Sequence, residues 1–345
     1  MKVSFLKPLL AYLLIPAIGF SQAEKDSLQK WTFEGYGEFY HSFSTDKNLE
    51  KQGFIYNHKK NQQISPNLIL GIARFNDKNV RANLGVMVGD YAHYNLASEP
   101  TWASFIYQAS VALKTTKQSW LEVGIFPSHI GFESAIGADC WILTRSLVAE
   151  NSPYYEAGLK YTFTSKNNKL TASGLLLNGW QRIEKFETGS YAFGMQLSYT
   201  PNDKLLLNYS NYLSKESPEN QQYARTYHNF YVIYQLSKKL AFTFGFDAGN
   251  DANRTEYWTS PVFITRFSVN EKDKIAVRIE KLRDLNGIIT NTADSDLSSF
   301  SVNYDRKISD KLLFRIEGRQ FLPSNILGNQ LEKTSHFTTS LSIKI

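Results

Sequence analysis

Residues 155–164 read YEAGLKYTFT, a stretch in which apolar side chains at odd positions alternate with polar or small ones at even positions. Successive side chains of an extended strand point to opposite faces, so this period of two predicts a sheet between two different environments. The same clear alternation occupies 80–88, 191–199, 240–249, 275–280 and 312–317. The chain is therefore predicted to consist of strands rather than helices.

Weaker alternating segments fill the intervals between the clear ones. They lie near 31–44, 66–75, 103–114, 118–127, 169–180, 204–213, 226–237, 258–269, 298–306 and 335–345. Together the segments predict about sixteen strands, at roughly twenty residues for each strand and its connection.

The connections between these segments alternate in length. Short turns lie at 76–78, 115–117, 165–168, 201–203, 237–239, 270–273 and 307–310. Longer segments lie near 45–65, 90–102, 128–152, 181–190, 214–225, 249–257, 284–297 and 322–334. Short periplasmic turns and long extracellular loops are typical of outer-membrane barrels, whereas a soluble β-sandwich has no reason to alternate them strictly. The predicted fold is an all-β, transmembrane, antiparallel up-and-down β-barrel.

The two faces of each predicted strand differ in chemistry. One face is rich in Phe, Leu, Val and Tyr, and the other carries Glu, Lys, Arg, Asn and Ser. In a lipid-embedded barrel the apolar faces meet acyl chains and the polar faces line a wet interior. Closure is required because an open sheet edge in hydrocarbon leaves backbone groups unpaired. Aromatic residues at strand ends predict interfacial girdles, namely Trp31, Tyr155, Tyr199, Tyr209 and Trp258.

The N-terminus has the pattern of a secretory signal. Lys2 and Lys7 precede an apolar run from Leu9 to Phe20, which is too short to span a bilayer as a helix. Cleavage after Ser21 or Ala23 is compatible with the small residues there. We expect residues 1–23 to be a signal peptide that is removed, and residues 24–345 to form a single outer-membrane β-barrel domain.

Several short motifs resemble the OmpL-like β-barrel porin family. They are GIFP at 124–127, HIGFE at 129–133, SPYYEAG at 152–158 and NGWQ at 178–181, with charged elements at 278–287 and 315–319. The resemblance extends over most of the chain after the signal. It implies an outer-membrane channel in a Gram-negative-type envelope, with no catalytic residue and no defined substrate.

Charged residues on the polar phase of the strands are predicted to line the pore. They are Glu34, Glu38, Arg81, Glu122, Glu156, Lys160, Arg278, Glu280, Arg315, Glu317 and Arg319. An Arg or Lys that faces lipid at the bilayer midplane costs about 2–4 kcal/mol, so the inward direction is favoured. These charges could select solutes, or they could form a mutually neutralising ladder that braces the wall.

The third long loop, residues 128–152, is predicted to fold inward and narrow the lumen. Its charges, Glu133, Asp139, Arg145 and Glu150, would then help to set the constriction. An external lid or an oligomer contact is the alternative for this loop.

The sequence gives little support for chemistry or for other partner classes. Neither a metal-ligand spacing of the histidines nor a nucleophile or phosphate-loop motif is found, and we expect no catalytic residue, metal or cofactor. A formal charge of +6 is too mixed for a nucleic-acid partner. The expected partners are outer-membrane lipid and lipopolysaccharide, small hydrophilic solutes and, through the final strand, the barrel assembly machinery; homo-oligomerisation is left open.

The favoured function is passive diffusion of small hydrophilic solutes through a charged, water-filled lumen. The alternatives are a non-channel barrel that acts as a binding or adhesion module, a barrel-borne hydrolase and a secreted soluble β-protein.

Overall fold

A computed structural model describes residues 30–46, 48–187, 189–216, 223–252, 257–324 and 333–345. The predicted signal peptide, residues 1–23, lies outside these ranges. Within them the chain forms sixteen strands. The first eight are β1 (Trp31–Ser44), β2 (Ile64–Asn76), β3 (Val80–Val88), β4 (Ile106–Thr116), β5 (Ser119–Pro127), β6 (Tyr155–Thr164), β7 (Leu170–Leu177) and β8 (Ala192–Asn202). The others are β9 (Leu205–Glu216), β10 (Tyr223–Gln235), β11 (Leu240–Asp251), β12 (Trp258–Ser268), β13 (Asp273–Asp284), β14 (Ser295–Lys307), β15 (Leu312–Pro323) and β16 (Thr334–Lys344).

The strands form one closed antiparallel barrel in which each strand pairs with its neighbours in sequence. The ring closes between β1 and β16, where Tyr36 is opposite Lys344 and Ser44 is opposite His336. At the end of this pairing the Gly35 N–H donates to the Ile345 carbonyl oxygen, and the Ile345 N–H donates to the Gly35 carbonyl oxygen, each at 2.9 Å. Closure leaves no free sheet edge, as a barrel in hydrocarbon requires. The predicted up-and-down barrel is therefore confirmed.

The alternation of side chains gives the two faces of the wall. Large apolar side chains such as Phe33, Phe193 and Ile279 are exposed on the outside. Their sequence neighbours point inward, and Arg278 and Glu280 are buried. The girdle prediction is wrong for Tyr155 and Trp258, which are only 3% and 1% exposed. Tyr155 donates a hydrogen bond to Glu99, and the Trp258 ring packs on that of Tyr227, so both contribute to internal packing.

Within the described ranges, helical structure is confined to the long connections. Two short α-helices are α1 (Asp90–Asn95) and α2 (Leu147–Glu150), and two 3-10 turns occupy Thr101–Ala103 and Gly137–Asp139. Among the described residues no helix is long and apolar enough to cross a bilayer.

The end of the barrel that carries the long loops has a packed interior. Buried apolar side chains from the ends of strands on opposite walls meet loop residues there. This cluster includes Phe54, Phe126, Leu147, Val148, Leu177, Tyr212, Tyr227, Trp258, Leu282, Ile288 and Phe321. A second cluster joins the inward side chains Leu68, Leu70, Ile72 and Met87 to Ala135 and Ile136 of the third long loop. At this end the expectation of a wet interior is wrong, because the loops fold inward and cover the wall.

Candidate functional site: a loop anchored across the lumen

The loop between β5 and β6, residues 128–152, crosses the inside of the barrel; we call it the crossing loop. It leaves the wall after Pro127, and its backbone reaches β13, β14 and β15. In the ring order β13 and β14 lie halfway round from β5 and β6, so these contacts are made with the opposite wall. The Leu143 N–H donates to Asn303 Oδ1 at 3.1 Å, and the Thr144 N–H donates to Glu317 Oε2 at 2.6 Å.

Three arginines of the opposite wall hold the crossing loop by its carbonyl groups. Arg278 Nη1 donates to Thr144 O at 2.8 Å, and Arg319 Nη1 donates to Arg145 O at 2.9 Å. Arg315 donates to Gly137 O at 2.8 Å and to Cys140 O at 3.0 Å. The planar guanidinium presents several donors in a fixed geometry, which suits it to bind a wall carboxylate and a loop carbonyl at once.

The same arginines are neutralised by carboxylates on the wall. Arg278 Nη2 lies 3.0 Å from Glu317 Oε1, Arg319 Nη2 lies 2.7 Å from Glu280 Oε1, and Arg315 Nε lies 2.6 Å from Asp305 Oδ1. The side chains of Arg278, Glu280, Arg315 and Glu317 have no solvent-exposed surface. Hydrogen bonds to charged groups contribute about 1.5–3 kcal/mol each, and a buried charge that loses its partner is strongly destabilising. The ladder therefore fixes the position of the loop.

Two further contacts hold the crossing loop to other strands. Near its start, His129 Nδ1 lies 2.8 Å from Glu156 Oε1, and His129 Nε2 lies 2.8 Å from the carbonyl oxygen of Asn211 on β9. The contact with β1 is close, because a Cβ atom on Gly137 would lie 2.9 Å from the carboxylate oxygens of Glu38. A larger residue at position 137 would require that buried carboxylate to shift.

Of the four predicted constriction charges, Glu133 and Arg145 have buried side chains, whereas Asp139 keeps contact with solvent. Arg145 is fully buried and donates to the carbonyl oxygens of Ser134, Ala135 and Leu143, so it braces its own loop. Glu133 accepts a hydrogen bond from the Ser146 N–H at 2.9 Å, and burial raises the pKa of Glu133. Asp139 is partly exposed, and its carboxylate lies 2.8 Å from Lys344 Nζ.

The fourth charge, Glu150, joins the crossing loop to the first long loop. Glu150 Oε2 accepts hydrogen bonds from the backbone N–H groups of Tyr56 and Asn57, at 2.8 and 3.0 Å. Asn151 Nδ2 donates to Phe54 O at 3.2 Å. The first long loop, residues 45–63, therefore lies inside the barrel mouth and packs on the crossing loop.

The opposite end of the lumen, near the short turns, keeps partly exposed charges. Lys160 Nζ lies 2.7 Å from Glu122 Oε2, with 21% and 17% of the two side chains exposed. Arg74 pairs with Glu34 at 2.9 Å, and the Arg81 guanidinium lies 3.8 Å from the centre of the Trp120 ring. We call this region the inner vestibule.

The eleven residues predicted to line the pore thus fall into two groups. Four lie in the inner vestibule and keep partial exposure, and these are Glu34, Arg81, Glu122 and Lys160. Seven lie under the crossing loop and are at most 5% exposed, and these are Glu38, Glu156, Arg278, Glu280, Arg315, Glu317 and Arg319. Alternation of side chains gives the direction of each residue, whereas its contact with water depends on the loops.

Sequence reasoning missed several residues of the anchor, including Asn303 and Asp305 on β14 and Asn57 in the first long loop. The polar face of β14 is made mostly of short uncharged side chains, and Asp305 is not among the predicted pore-lining charges although it lies on that face. A usable signal was present at Phe54 and Ile55, an apolar pair inside a segment that was expected to be an external loop. An apolar pair in such a loop indicates that it packs against protein.

Within the described ranges, no group of three or more His, Cys, Asp or Glu side chains is arranged to hold a metal ion. Cys140 is buried, and its sulfur accepts a hydrogen bond from the Ser134 N–H at 3.2 Å.

Comparisons with known proteins agree with this architecture. A family model described as "Putative beta-barrel porin-2, OmpL-like" matches residues 30–345, which confirms the resemblance seen in the sequence motifs. No curated protein matches the sequence.

Solved structures of similar shape share very little sequence with this chain. The outer membrane channel DcaP of Acinetobacter baumannii has a TM-score of 0.63 and 7% identity, over 91% of this chain and 97% of that chain. OmpF of Salmonella typhi, in complex with daunomycin, has a TM-score of 0.64 and 9% identity, also over 91% and 97%. OmpT of Vibrio cholerae, an outer membrane protein, has a TM-score of 0.59 and 11% identity, over 94% and 100%. At such low identities the similarity concerns the fold alone.

Proposed function

Because this chain belongs to the OmpL-like β-barrel porin family, and is therefore an outer-membrane channel protein, we propose that it conducts small hydrophilic solutes by passive diffusion. The path we propose runs through the inner vestibule and past the crossing loop. The size of the solute is limited by that loop, and the charged walls bias which solutes enter. In this proposal solutes move down their own concentration gradient, so conduction needs no energy source.

The observation that carries this proposal is the anchoring of the crossing loop to the opposite wall. Arg278, Arg315 and Arg319 bind carbonyl oxygens of the crossing loop between residues 137 and 145, so the loop is held at a fixed depth in the lumen. A loop held in this way narrows the lumen without closing the inner end, where Glu122 and Lys160 remain partly exposed.

A second candidate function is favoured by the packed interior at the long-loop end. There Phe54 of the first loop meets Phe321 of β15, with ring centres 6.4 Å apart, and Trp258 and Tyr227 are buried beside them. Packing of this kind would suit a barrel whose lumen is closed by its loops and whose outer surface acts as a binding or adhesion module.

Conductance of the purified barrel in a planar lipid bilayer separates the two candidates. Passive diffusion predicts stepwise, ohmic currents that are small compared with those of the same barrel without its crossing loop. A barrel that inserts, shows heat-modifiable migration in detergent gels and passes no current would support the closed module instead.

We also propose the remaining assignments that follow from an outer-membrane barrel. Residues 1–23 would direct export, and β16 would be the strand that the barrel assembly machinery engages. Lipid and lipopolysaccharide would contact the outer apolar face, and association into a homo-oligomer would be compatible with it. Cross-linking in whole cells, compared with detergent extracts, tests the oligomer.

A further inference from the structure

A lysine from the first long loop lies inside the barrel mouth with few partners. Lys51 is 5% exposed, and its ammonium group donates one hydrogen bond among the described residues, to Thr338 Oγ1 at 3.4 Å. No described carboxylate lies within ion-pair distance of it. A buried ammonium has three donors and normally requires charged or strong acceptors, so this arrangement is incomplete.

The β16 residues around Lys51 have polar atoms without partners. His336 lies two residues before Thr338 on the same inward face of the strand, at a spacing of about 7 Å. It is 5% exposed, and its Nε2 atom is buried with no hydrogen-bond partner among the described residues. Gln52 Nε2 donates to Thr334 Oγ1 at 3.0 Å, while Gln52 Oε1 is buried without a partner. Buried polar atoms in folded proteins are nearly always hydrogen-bonded, so several without partners in one place point to a site for a small polar ligand.

Glu317 and Glu150 act on Lys51 electrostatically but form no ion pair with it among the described residues. Glu317 accepts hydrogen bonds from the Thr144 N–H and hydroxyl and from Arg278. Glu150 Oε2 accepts hydrogen bonds from the backbone of the first long loop, and its other oxygen, Oε1, is buried without a described partner. On the other side, Arg319 stacks over the Phe321 ring at 4.3 Å, and that ring also packs against His336 at 4.8 Å. The site therefore presents an ammonium, a hydroxyl and an imidazole, with an aromatic ring beside them.

We propose that Lys51, Thr338 and His336 form a binding site for a small inorganic anion such as chloride, at the outer end of the lumen. The anion would accept a charge-assisted hydrogen bond from the Lys51 ammonium and a further one from the neutral His336 Nε2–H. The Thr338 hydroxyl would also donate to the anion, with the Ser42 hydroxyl, 2.9 Å away, donating to Thr338. The part of this proposal that concerns ion selectivity rests on the proposed channel function, whereas the binding itself does not.

The charge of Lys51 makes the site dependent on pH. Burial lowers the pKa of Lys51 to about 7. The negative charges of Glu317 and Glu150 raise this pKa, and the positive charges of Arg319 and Lys59 lower it further. His336 also faces this amine. A lysine is cationic below its pKa, so anion binding is strong below about pH 7 and weakens as the pH rises above it. A bound anion shifts this midpoint upward because it favours the charged form.

Chloride binding to the intact barrel in detergent tests the site directly. The broadening of the chlorine-35 NMR signal of chloride is measured for the wild type, for Lys51→Met and for Lys60→Met, at about pH 6 and about pH 9. Lys60 lies in the same loop but is partly exposed and paired with Glu50, so it is the matched control. We expect Lys51→Met to raise the chloride dissociation constant about tenfold at pH 6, while Lys60→Met leaves it unchanged. The wild type should lose most of its broadening at pH 9.

A second variant and a second measurement keep the outcome interpretable. If Lys51→Met does not show heat-modifiable migration, Thr338→Val removes the hydroxyl and should weaken chloride binding in the same direction. In a bilayer with a potassium chloride gradient, Lys51→Met should move the reversal potential toward cation selectivity. A wild type that carries no current but shows Lys51-dependent broadening would support the anion site and contradict the channel. The anion site would be overturned if the line broadening were as strong in Lys51→Met as in the wild type. It would also be overturned if Lys60→Met lost as much broadening as Lys51→Met.

Discussion

The two ends of the lumen have been built from the same alternating strands and are nevertheless different. At the long-loop end, inward side chains such as Trp258 and Arg278 are buried beneath loops that meet the opposite wall. At the short-turn end, Glu122 and Lys160 pair with each other and keep contact with solvent. The comparison shows that an inward direction alone does not make a residue part of an aqueous path. Whether an inward residue contacts water depends on the loop that covers it.

Deletion of residues 136–148 should erase this difference and have the largest effect. The deleted segment contains the backbone groups that Arg278, Arg315 and Arg319 bind. Without it the buried charges of the wall face water, and single-channel conductance should increase several-fold. Planar-bilayer recording measures the change, and heat-modifiable migration shows that the barrel has formed. Unchanged conductance would mean that the loop does not limit the path.

Arg315→Met should destabilise the barrel and loosen the crossing loop while its length stays the same. The change leaves Asp305 buried without its partner and removes two hydrogen bonds to loop carbonyls. Breaking a buried ion pair costs about 3–5 kcal/mol, which urea unfolding of the barrel in lipid would detect. Arg306→Met is the control, because the Arg306 side chain is half exposed in its pair with Asp273, and it should have little effect. Similar losses in the two variants would argue against a special role for the anchor.

Glu150→Ala should release the first long loop from the crossing loop. The backbone N–H groups of Tyr56 and Asn57 lose their acceptor, at about 1–3 kcal/mol for each one left unsatisfied. Hydrogen exchange followed by mass spectrometry should then be faster in residues 54–58 than in the wild type. Glu150→Gln retains an oxygen acceptor and serves as the comparison, with an intermediate rate. No change in exchange in the alanine variant would show that the first loop is held by other contacts.

Changes in the inner vestibule should be the smallest and should depend on salt. Lys160→Met leaves Glu122 unpaired and shifts the reversal potential toward cations, whereas Glu122→Gln leaves Lys160 unpaired and shifts it toward anions. Partly exposed ion pairs contribute about 0–1 kcal/mol, and salt of about 1 M reduces their range to roughly 3 Å. Both shifts should therefore fade at high salt. Shifts of the same sign in the two variants would show that the residues do not act through their charge.

The barrel itself could be predicted from the sequence because its period is local. Each strand can be recognised from the alternation of about ten residues, and the alternation of short and long connections indicates the orientation of the barrel in the membrane. The segment 155–164 and the observed β6, Tyr155–Thr164, coincide. The inward fold of the crossing loop was also anticipated from its length and place.

The contacts of that loop could not be predicted, since they join residues that are far apart in the chain. Nothing near Thr144 indicates that its N–H will meet Glu317, which is 173 residues away. The girdle prediction failed for Trp258 for the same reason, because its covering partners come from other strands and loops. Lys51 gave no local signal either, and its environment depends on the β16 face.

The anchoring of the crossing loop has a consequence for the order of folding. Arg315 binds the carbonyl oxygen of Gly137, from which it is separated by 178 residues. The loop can dock only after β13, β14 and β15 have taken their places, so its burial belongs to the last stage of assembly. Contacts between such distant residues are slow to form. A newly closed barrel would thus have a wider and more conductive lumen until this loop docks and narrows it.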